Sequence, residues 1–429
     1  MNKGRGTPSN KLLPSLTRRS LLTGAGGVSL SALGSASVLK AAPAGSKSHV
    51  AVVGAGVFGA WTAHYLLEAG HRVTLIEAHG PAHSRASSGG ESRMTRAAYG
   101  KDAIYARMAT DSLAAWKTLS LAAGLPIFHQ SGVLFFSAAH DAYLSDSLAV
   151  AKRLGLPTET LSNAEMTRRY PMIDFSKIVT GLIEPGFGAL MARRSVQTLV
   201  GRFVRGGGQW RHASARPGSS AGGKLSSLRL SDNSLVEADQ FVFALGPWLG
   251  KLVPALLADR IFATRQEVFF FAAPAGDRRF GPDAMPGWAD MNGGDLYYGF
   301  PDLEGRGVKF ARDTHGVRVD PDTQSRVPTE AALAEIIAFR DRRFPLLRGA
   351  LLTESRVCQY ENSSNGDFLI DRHPQMANVV LVGGGSGHGF KHGPEVGRIA
   401  AALALSTGPQ PEPRFTLATK ATTQSREVH

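Results

Sequence analysis

The chain has 429 residues, enough for two substantial structural units, and an apolar content of 43% excludes disorder along its whole length. Its formal charge of +13 is not the footprint of a nucleic-acid binder: six basic residues (Lys3, Arg5, Lys11, Arg18, Arg19 and Lys40) fall in the first 44 residues, which hold no Asp or Glu, and the rest of the surplus is spread without a basic block. A single cysteine, Cys358, excludes an intrachain disulfide framework.

Residues 1–44 read as an address. Thr17-Arg18-Arg19-Ser20-Leu21-Leu22 sets paired arginines before a mildly apolar stretch, Leu21 to Leu39, broken by Gly24, Gly26, Gly27, Ser29 and Ser31. Ala42-Pro43-Ala44 then offers the small-x-small pattern of a signal-peptidase site. The segment resembles a bacterial twin-arginine signal, with Leu21 where Phe is commoner; the other reading is a basic tail. Twin-arginine machinery exports proteins already folded around a cofactor, so an exported, periplasmic or extracellular protein without disulfides is expected. No later run approaches the length of a membrane span, so no stable transmembrane segment is expected.

Immediately afterwards His49 to Val53 reads as a buried parallel strand, followed by Gly54-Ala55-Gly56-Val57-Phe58-Gly59 and then Ala60 to Leu67 at helical spacing. Gly70 ends that helix, and Arg72 to Ile76 forms a second strand finishing at Glu77. Strand, G-x-G-x-x-G, helix, strand and acid in this order make a dinucleotide fold. Gly54 permits the tight turn, Gly56 lets backbone approach a pyrophosphate, and Gly59 lets helix and strand pack closely. The helix N-terminus favours phosphate, and Glu77 is placed for ribose hydroxyls, an arrangement that disfavours a 2′-phosphate.

The motif alone does not choose between NAD and FAD. Further along, Gln240 to Trp248 is an apolar strand ending in Ala244-Leu245-Gly246, similar to the second glycine motif of flavoproteins. Val379 to Val382 is another buried strand, leading through Gly383-Gly384-Gly385-Ser386-Gly387-His388-Gly389 to a helix over Pro394 to Leu405. Between them, Gly132 to Phe136 and Glu267 to Phe271 read as strands of a second sheet, Ala331 to Phe344 as a helix, and Gly206-Gly207-Gly208 and Pro217-Gly218-Ser219-Ser220 as loops. The expected class is α/β: a Rossmann-like FAD-binding domain from residues 48–125, 186–260 and 351–408. A substrate domain on a mainly antiparallel sheet comes from 126–185 and 261–350, and 409–429 is expected to be a flexible tail.

Four motifs in order make residues 48–408 resemble the monomeric sarcosine oxidase and N-methyltryptophan oxidase group of D-amino-acid-oxidase-like flavoproteins. In Gly90-Glu91-Ser92-Arg93-Met94-Thr95-Arg96-Ala97-Ala98-Tyr99-Gly100, the resemblance places Arg93 by the flavin and Arg96 on a substrate carboxylate, for which a planar guanidinium is suited. Outside that resemblance, arginines three apart would suit a solvated helix face. Tyr298 within Tyr297-Tyr298-Gly299-Phe300-Pro301 matches an active-site tyrosine. Lys309 matches a lysine that promotes reaction of the flavin with oxygen, and Cys358 matches a cysteine joined by a thioether to the flavin 8α-methyl. Tyr360 matches a substrate-pocket tyrosine, and Lys391 a second partner of the carboxylate. Gly387, His388 and Gly389 bring backbone to the flavin, and Ala55, Val57, Ser87 and Trp248 complete the cofactor-binding set.

One departure stands out. Where several members carry a substrate-contacting histidine four residues after the lysine, this chain has Asp313, with His315 two further on. Ala289 stands where the family can have a larger residue. The resemblance implies FAD-dependent oxidation of a secondary amine or N-methyl amino acid, with an imine as product, O₂ as acceptor and hydrogen peroxide released. The alternatives are an exported FAD-dependent dehydrogenase using a quinone or protein acceptor, a non-catalytic flavin-binding interaction protein, and an NAD-dependent dehydrogenase. No metal-ligand cluster and no Ser-His-Asp order compete.

Overall fold

The run His49–Val53 is buried along its whole length, as a central parallel strand must be when both of its faces are covered. In the computed structural model, which describes residues 47–292, 296–314 and 316–423, it lies inside a six-stranded sheet. The order across that sheet is Leu369–His373, Met376–Gly383, Gln240–Phe243, His49–Val53, Arg72–Glu77 and Gln209–His212. All neighbours are parallel except the first two. Alternation sends Val50 and Val52 to a core under the helices Val57–Glu68, Ala192–Arg205 and Gly393–Leu405. Ala51 and Val53 face the opposite core, roofed by short antiparallel strands that include Ser227–Leu230. This is the expected Rossmann-like unit.

The second sheet has eight strands in the order Leu352–Ser363, Ile261–Phe271, Val308–Asp313, Leu296–Phe300, Gly287–Asp290, Val133–Ser137, Thr180–Glu184 and Glu159–Ser162. Only the pair Gly287–Asp290 and Val133–Ser137 runs parallel, so the expected antiparallel character holds. Its two faces differ. Leu134, Phe136, Phe269, Phe271, Trp288, Val308 and Phe310 fill an aromatic core closed by Ile336 and Phe339 of the helix Glu330–Arg343. The residues between them, Lys309, Ala311 and Asp313 on one strand and Tyr298, Cys358 and Tyr360 on others, belong to the opposite face.

The structure differs from the sequence reading in two places, the assignment of residues 351–408 and the C-terminal tail. Residues 351–408 do not all belong to the nucleotide domain, because Leu352–Ser363 pairs along the Ile261–Phe271 strand as an edge of the second sheet. An apolar strand carries no mark of which sheet will take it. Arg93 and Arg96 lie on and just beyond a strand, Ser92–Thr95, which pairs with Gly188–Met191. Gly218 and Ser219 form the expected loop, flanked by the short strands Ala215–Pro217 and Ser220–Ala221. Residues 413–419 are not a loose tail: Phe415 is fully buried beside Phe368 and Tyr105, and Arg414 pairs with both Asp102 and Asp367. The expected signal at 1–44, His315 and residues 424–429 lie outside the described residues.

The docked segment is testable. Phe415→Ala removes a fully buried aromatic side chain and should lower unfolding stability by about 3–5 kcal/mol. A denaturant midpoint within error of wild type would show that this segment is not part of the fold.

Candidate active site

The glycine loop is forced by contact distances. At Gly54, which has φ of +102°, an added Cβ would sit 2.2 Å from the Ala244 carbonyl oxygen; at Gly59 it would sit 1.9 Å from that of Gly54. Only hydrogen fits at either point, so the loop stays tight against the sheet. Gly56 is different. Its nearest obstacle is the Ser88 hydroxyl at 3.5 Å, and it faces a cleft of about 810 Å³. The loop is braced from outside: the Ala55 N–H donates to Glu77 Oε2 at 2.8 Å and the Val57 N–H donates to Ser88 Oγ at 3.0 Å.

The cleft collects Gly54, Gly56, Val57, Glu77, Ser87, Arg93, Trp248, Gly387 and Gly389 on its walls. Its size falls in the range of cofactor sites, and backbone without side chains on one wall leaves room for a pyrophosphate at a helix N-terminus. Glu77 reaches it from the end of the second strand. These residues fit FAD. Ala55 and Gly59 act behind the wall, as brace and close-packing point, and His388 is turned away, with Nε2 at 3.1 Å from the Gly366 carbonyl oxygen.

A second, smaller cavity of about 70 Å³ adjoins the cleft. Arg93, Tyr360, Gly387 and Phe390 line both, so the two spaces share a wall. The small cavity also has Arg96, Lys391, Tyr298, Tyr143, Asp313 and Ala289 around it. Sequence-distant motifs thus converge here: the strand after Gly90, the second sheet, and the glycine-rich loop that precedes the last helix.

Three cations are buried in this region. Arg96 is 8% exposed; it donates to the Ala98 carbonyl and, at 3.0 Å, to the Tyr143 hydroxyl, and it lies 4.1 Å from the Tyr99 ring centroid. Lys391 Nζ donates to the Tyr99 hydroxyl at 2.7 Å and to the His388 carbonyl at 2.8 Å. Burial, with Arg96 adding repulsion, holds Lys391 well below the ordinary lysine range. Lys309 is 1% exposed, and its Nζ donates to the Ser92 carbonyl at 3.1 Å with Phe300, Phe270 and Tyr298 around it. Burial, then the charge of Arg93, lowers its ammonium to about 7. Among the described residues, none of the three forms an ion pair with a carboxylate.

The remaining polar groups are tuned by the same burial. Desolvation raises Tyr298 to about 12 and Tyr360 well above the ordinary phenol value, so both are hydrogen-bonding phenols, not bases, near neutrality. Glu184 accepts the Ala97 N–H at 3.1 Å, and burial lifts its carboxyl to about 7 against the pull of Arg96. Cys358 is 6% exposed and packs with Val268, Phe270 and Ala311 on the site-facing side of the second sheet. Neither Cys358 nor Lys309 is on the wall of either cavity, although the thiol bears electrostatically on Lys309.

The sequence reading missed the supports. Ser88 braces the glycine loop, Tyr143 holds Arg96 from the first turn of the helix Ala142–Arg153, and Tyr99 joins Lys391 to His392 Nε2 at 2.7 Å. Tyr99 stood inside a motif without a role; Tyr143 and Ser88 gave no local signal.

A lysine lowered to about 7 by burial bears on stability. Below that pH the folded chain carries a desolvated charge; above it the folded lysine is neutral while the unfolded one keeps its proton, so this contribution to stability rises with pH up to about 10.5. Flavin-free Lys309→Met protein should therefore melt above wild type near about pH 6, with the gap closing towards about pH 9. A gap independent of pH would contradict the lowered value.

Residues 49–403 match the family model described as DAO, FAD dependent oxidoreductase. The chain is similar to a monomeric sarcosine oxidase from Bacillus sp. (strain B-0618), at 29% identity over 377 residues, covering 83% of this chain and 92% of that protein. It is similar to an N-methyl-L-tryptophan oxidase from Salmonella heidelberg (strain SL476), at 30% identity over 376 residues, covering 85% of this chain and 96% of the relative. Among solved structures, L-proline dehydrogenase from P. horikoshii superposes with a TM-score of 0.76 at 18% identity, covering 86% of this chain and 97% of that one. NikD, described as an unusual amino acid oxidase, does so with a TM-score of 0.72 at 21% identity, covering 86% and 97%. Those two likenesses are of fold. With the glycine cradle, the two-sheet architecture and the family match together, the chain belongs to the DAO family of FAD-dependent oxidoreductases.

Proposed function

We propose that the protein oxidises a secondary amine or N-methyl amino acid to an imine, with electrons passing finally to O₂ to give hydrogen peroxide. The observation that carries this reading is the pairing of Arg96 and Lys391 on one small cavity that shares a wall with the cofactor cleft. The sarcosine and N-methyltryptophan oxidases similar to this chain support the substrate class.

Arg96 and Lys391 hold the substrate carboxylate. An anion entering between them replaces lost hydration and draws the Lys391 ammonium back to its charged form. With the carboxylate fixed, the substrate carbon is directed across the shared wall, between Tyr360 and Gly387, towards the cleft. FAD supplies the two-electron acceptor there. Tyr298 and Tyr360 keep their protons and serve as hydrogen-bond donors at the cavity rim. Lys309 stabilises negative charge as it builds on dioxygen, a role that suits a cation shielded from water. Cys358, buried on the site-facing side of the second sheet, is the residue proposed to attach FAD covalently. The proposed export through the twin-arginine machinery rests on residues 17–22 and 42–44.

Two experiments test this. Anaerobic mixing with sarcosine and larger N-methyl amino acids should bleach the visible flavin spectrum, and admitting air should restore it with peroxide; in Arg96→Ala the half-saturating concentration should rise about a hundredfold. Bleaching with unchanged half-saturation in the variant would remove Arg96 from the substrate site, and recovery only with a quinone would replace O₂ as acceptor. Separately, acid precipitation should leave flavin in the pellet for wild type and in the supernatant for Cys358→Ser. Colour in the Cys358→Ser pellet would overturn the covalent link.

A further inference from the structure

Arg96 and Lys391 account for a carboxylate, but the small cavity holds a third charge of opposite sign. Asp313 ends the strand Val308–Asp313, two residues past Ala311, so the alternation that aims Lys309 at the site aims Asp313 there too. It lines the cavity together with Arg96, Lys391, Tyr298 and Tyr360. Its Oδ1 is shielded from water and has no hydrogen-bond partner among the described residues. Its charge is felt by Arg96 and Lys391 across the space, yet it forms no ion pair among the described residues.

A carboxylate oxygen shielded in this way, with no donor of its own, is costly unless a ligand completes it. The anionic end of a substrate is already matched by two cations. What Asp313 lacks is a positive group bearing N–H or N–alkyl, a few ångströms from that carboxylate. The adjoining walls are Phe135, Ala289, Met291 and Leu296, which suit the carbon substituents of an amine and offer no competing charge.

We propose that Asp313 is the specificity-determining residue of the substrate cavity, admitting amino acids as zwitterions by pairing with their cationic nitrogen and disfavouring carboxylates that carry no positive charge. This rests on the carboxylate-binding role of Arg96 and Lys391 proposed above. It places the selection in binding, before the nitrogen gives up its proton for the redox step.

Two unreactive ligands of equal shape separate the possibilities: the zwitterion (trimethylammonio)acetate, which carries a fixed positive nitrogen, and tert-butylacetate, which has carbon in its place. Each is titrated into the FAD-loaded protein while the visible flavin spectrum is followed. Wild type should bind the charged ligand at least about tenfold more tightly, and Asp313→Asn should bring the two within about twofold. Asp313→Glu, which keeps the charge, should restore part of the preference, separating lost charge from altered packing. Equal affinities in wild type, or a preference that survives in Asp313→Asn, would overturn the assignment to Asp313 and leave the carboxylate clamp standing. Binding of neither ligand would overturn the clamp itself, and this inference with it.

Discussion

The arrangement turns on three buried basic groups, Arg96, Lys309 and Lys391, that no carboxylate meets in an ion pair among the described residues. Taking a guanidinium or ammonium out of water costs several kcal/mol, on the order of what an ion pair in the interior returns. Arg96, Lys309 and Lys391 are instead held by carbonyls and hydroxyls: Ala98 and Tyr143, Ser92, and Tyr99 with His388. Such partners fix direction without cancelling charge. Arg96 and Lys391 therefore line the small cavity with no carboxylate bonded to them among the described residues, while Lys309 lies behind the walls.

The second sheet makes that possible at low cost in fold. Its strands are two-sided in an unusual sense: one face is packed with Phe269, Phe271, Trp288 and Phe310, while the other carries Lys309, Tyr298, Asp313 and Tyr360 towards the cofactor side. The aromatic face provides the burial that holds the strands in register, and the register sets the spacing of the polar groups. A shift by one residue would bury Lys309 among phenylalanines and bring Phe310 to the site.

The nucleotide unit contributes a different kind of precision. Its glycines are positions where a single carbon would collide with backbone, so the loop cannot relax away from the cleft. The C-terminal segment then joins the two regions chemically. Arg414 binds Asp367 and Asp102, Asp367 accepts from Tyr105 at 2.7 Å, and Tyr105 packs against Tyr99 and edge-on to His388, which reach Lys391. A stretch that looks dispensable in sequence therefore stands behind Lys391 on the wall of the small cavity.

Much was legible in the chain itself. Wherever function demands a local pattern, the pattern appears: the glycine spacing after His49–Val53, the acid at Glu77, and the second glycine loop before Gly393–Leu405. Arg96, Lys309 and Lys391 were readable because they sit in motifs with a recognisable order. What the sequence alone determined was thus the nucleotide fold, the cofactor class and the cast of charged residues. Tertiary structure decided which sheet takes Leu352–Ser363, that Ser88, Tyr143 and Tyr99 are the braces, and that Asp313 lines the small cavity with its Oδ1 unpartnered among the described residues. These are long-range contacts. A hydroxyl or a carboxylate carries no local sign of what will lie across from it once strands from different parts of the chain have paired.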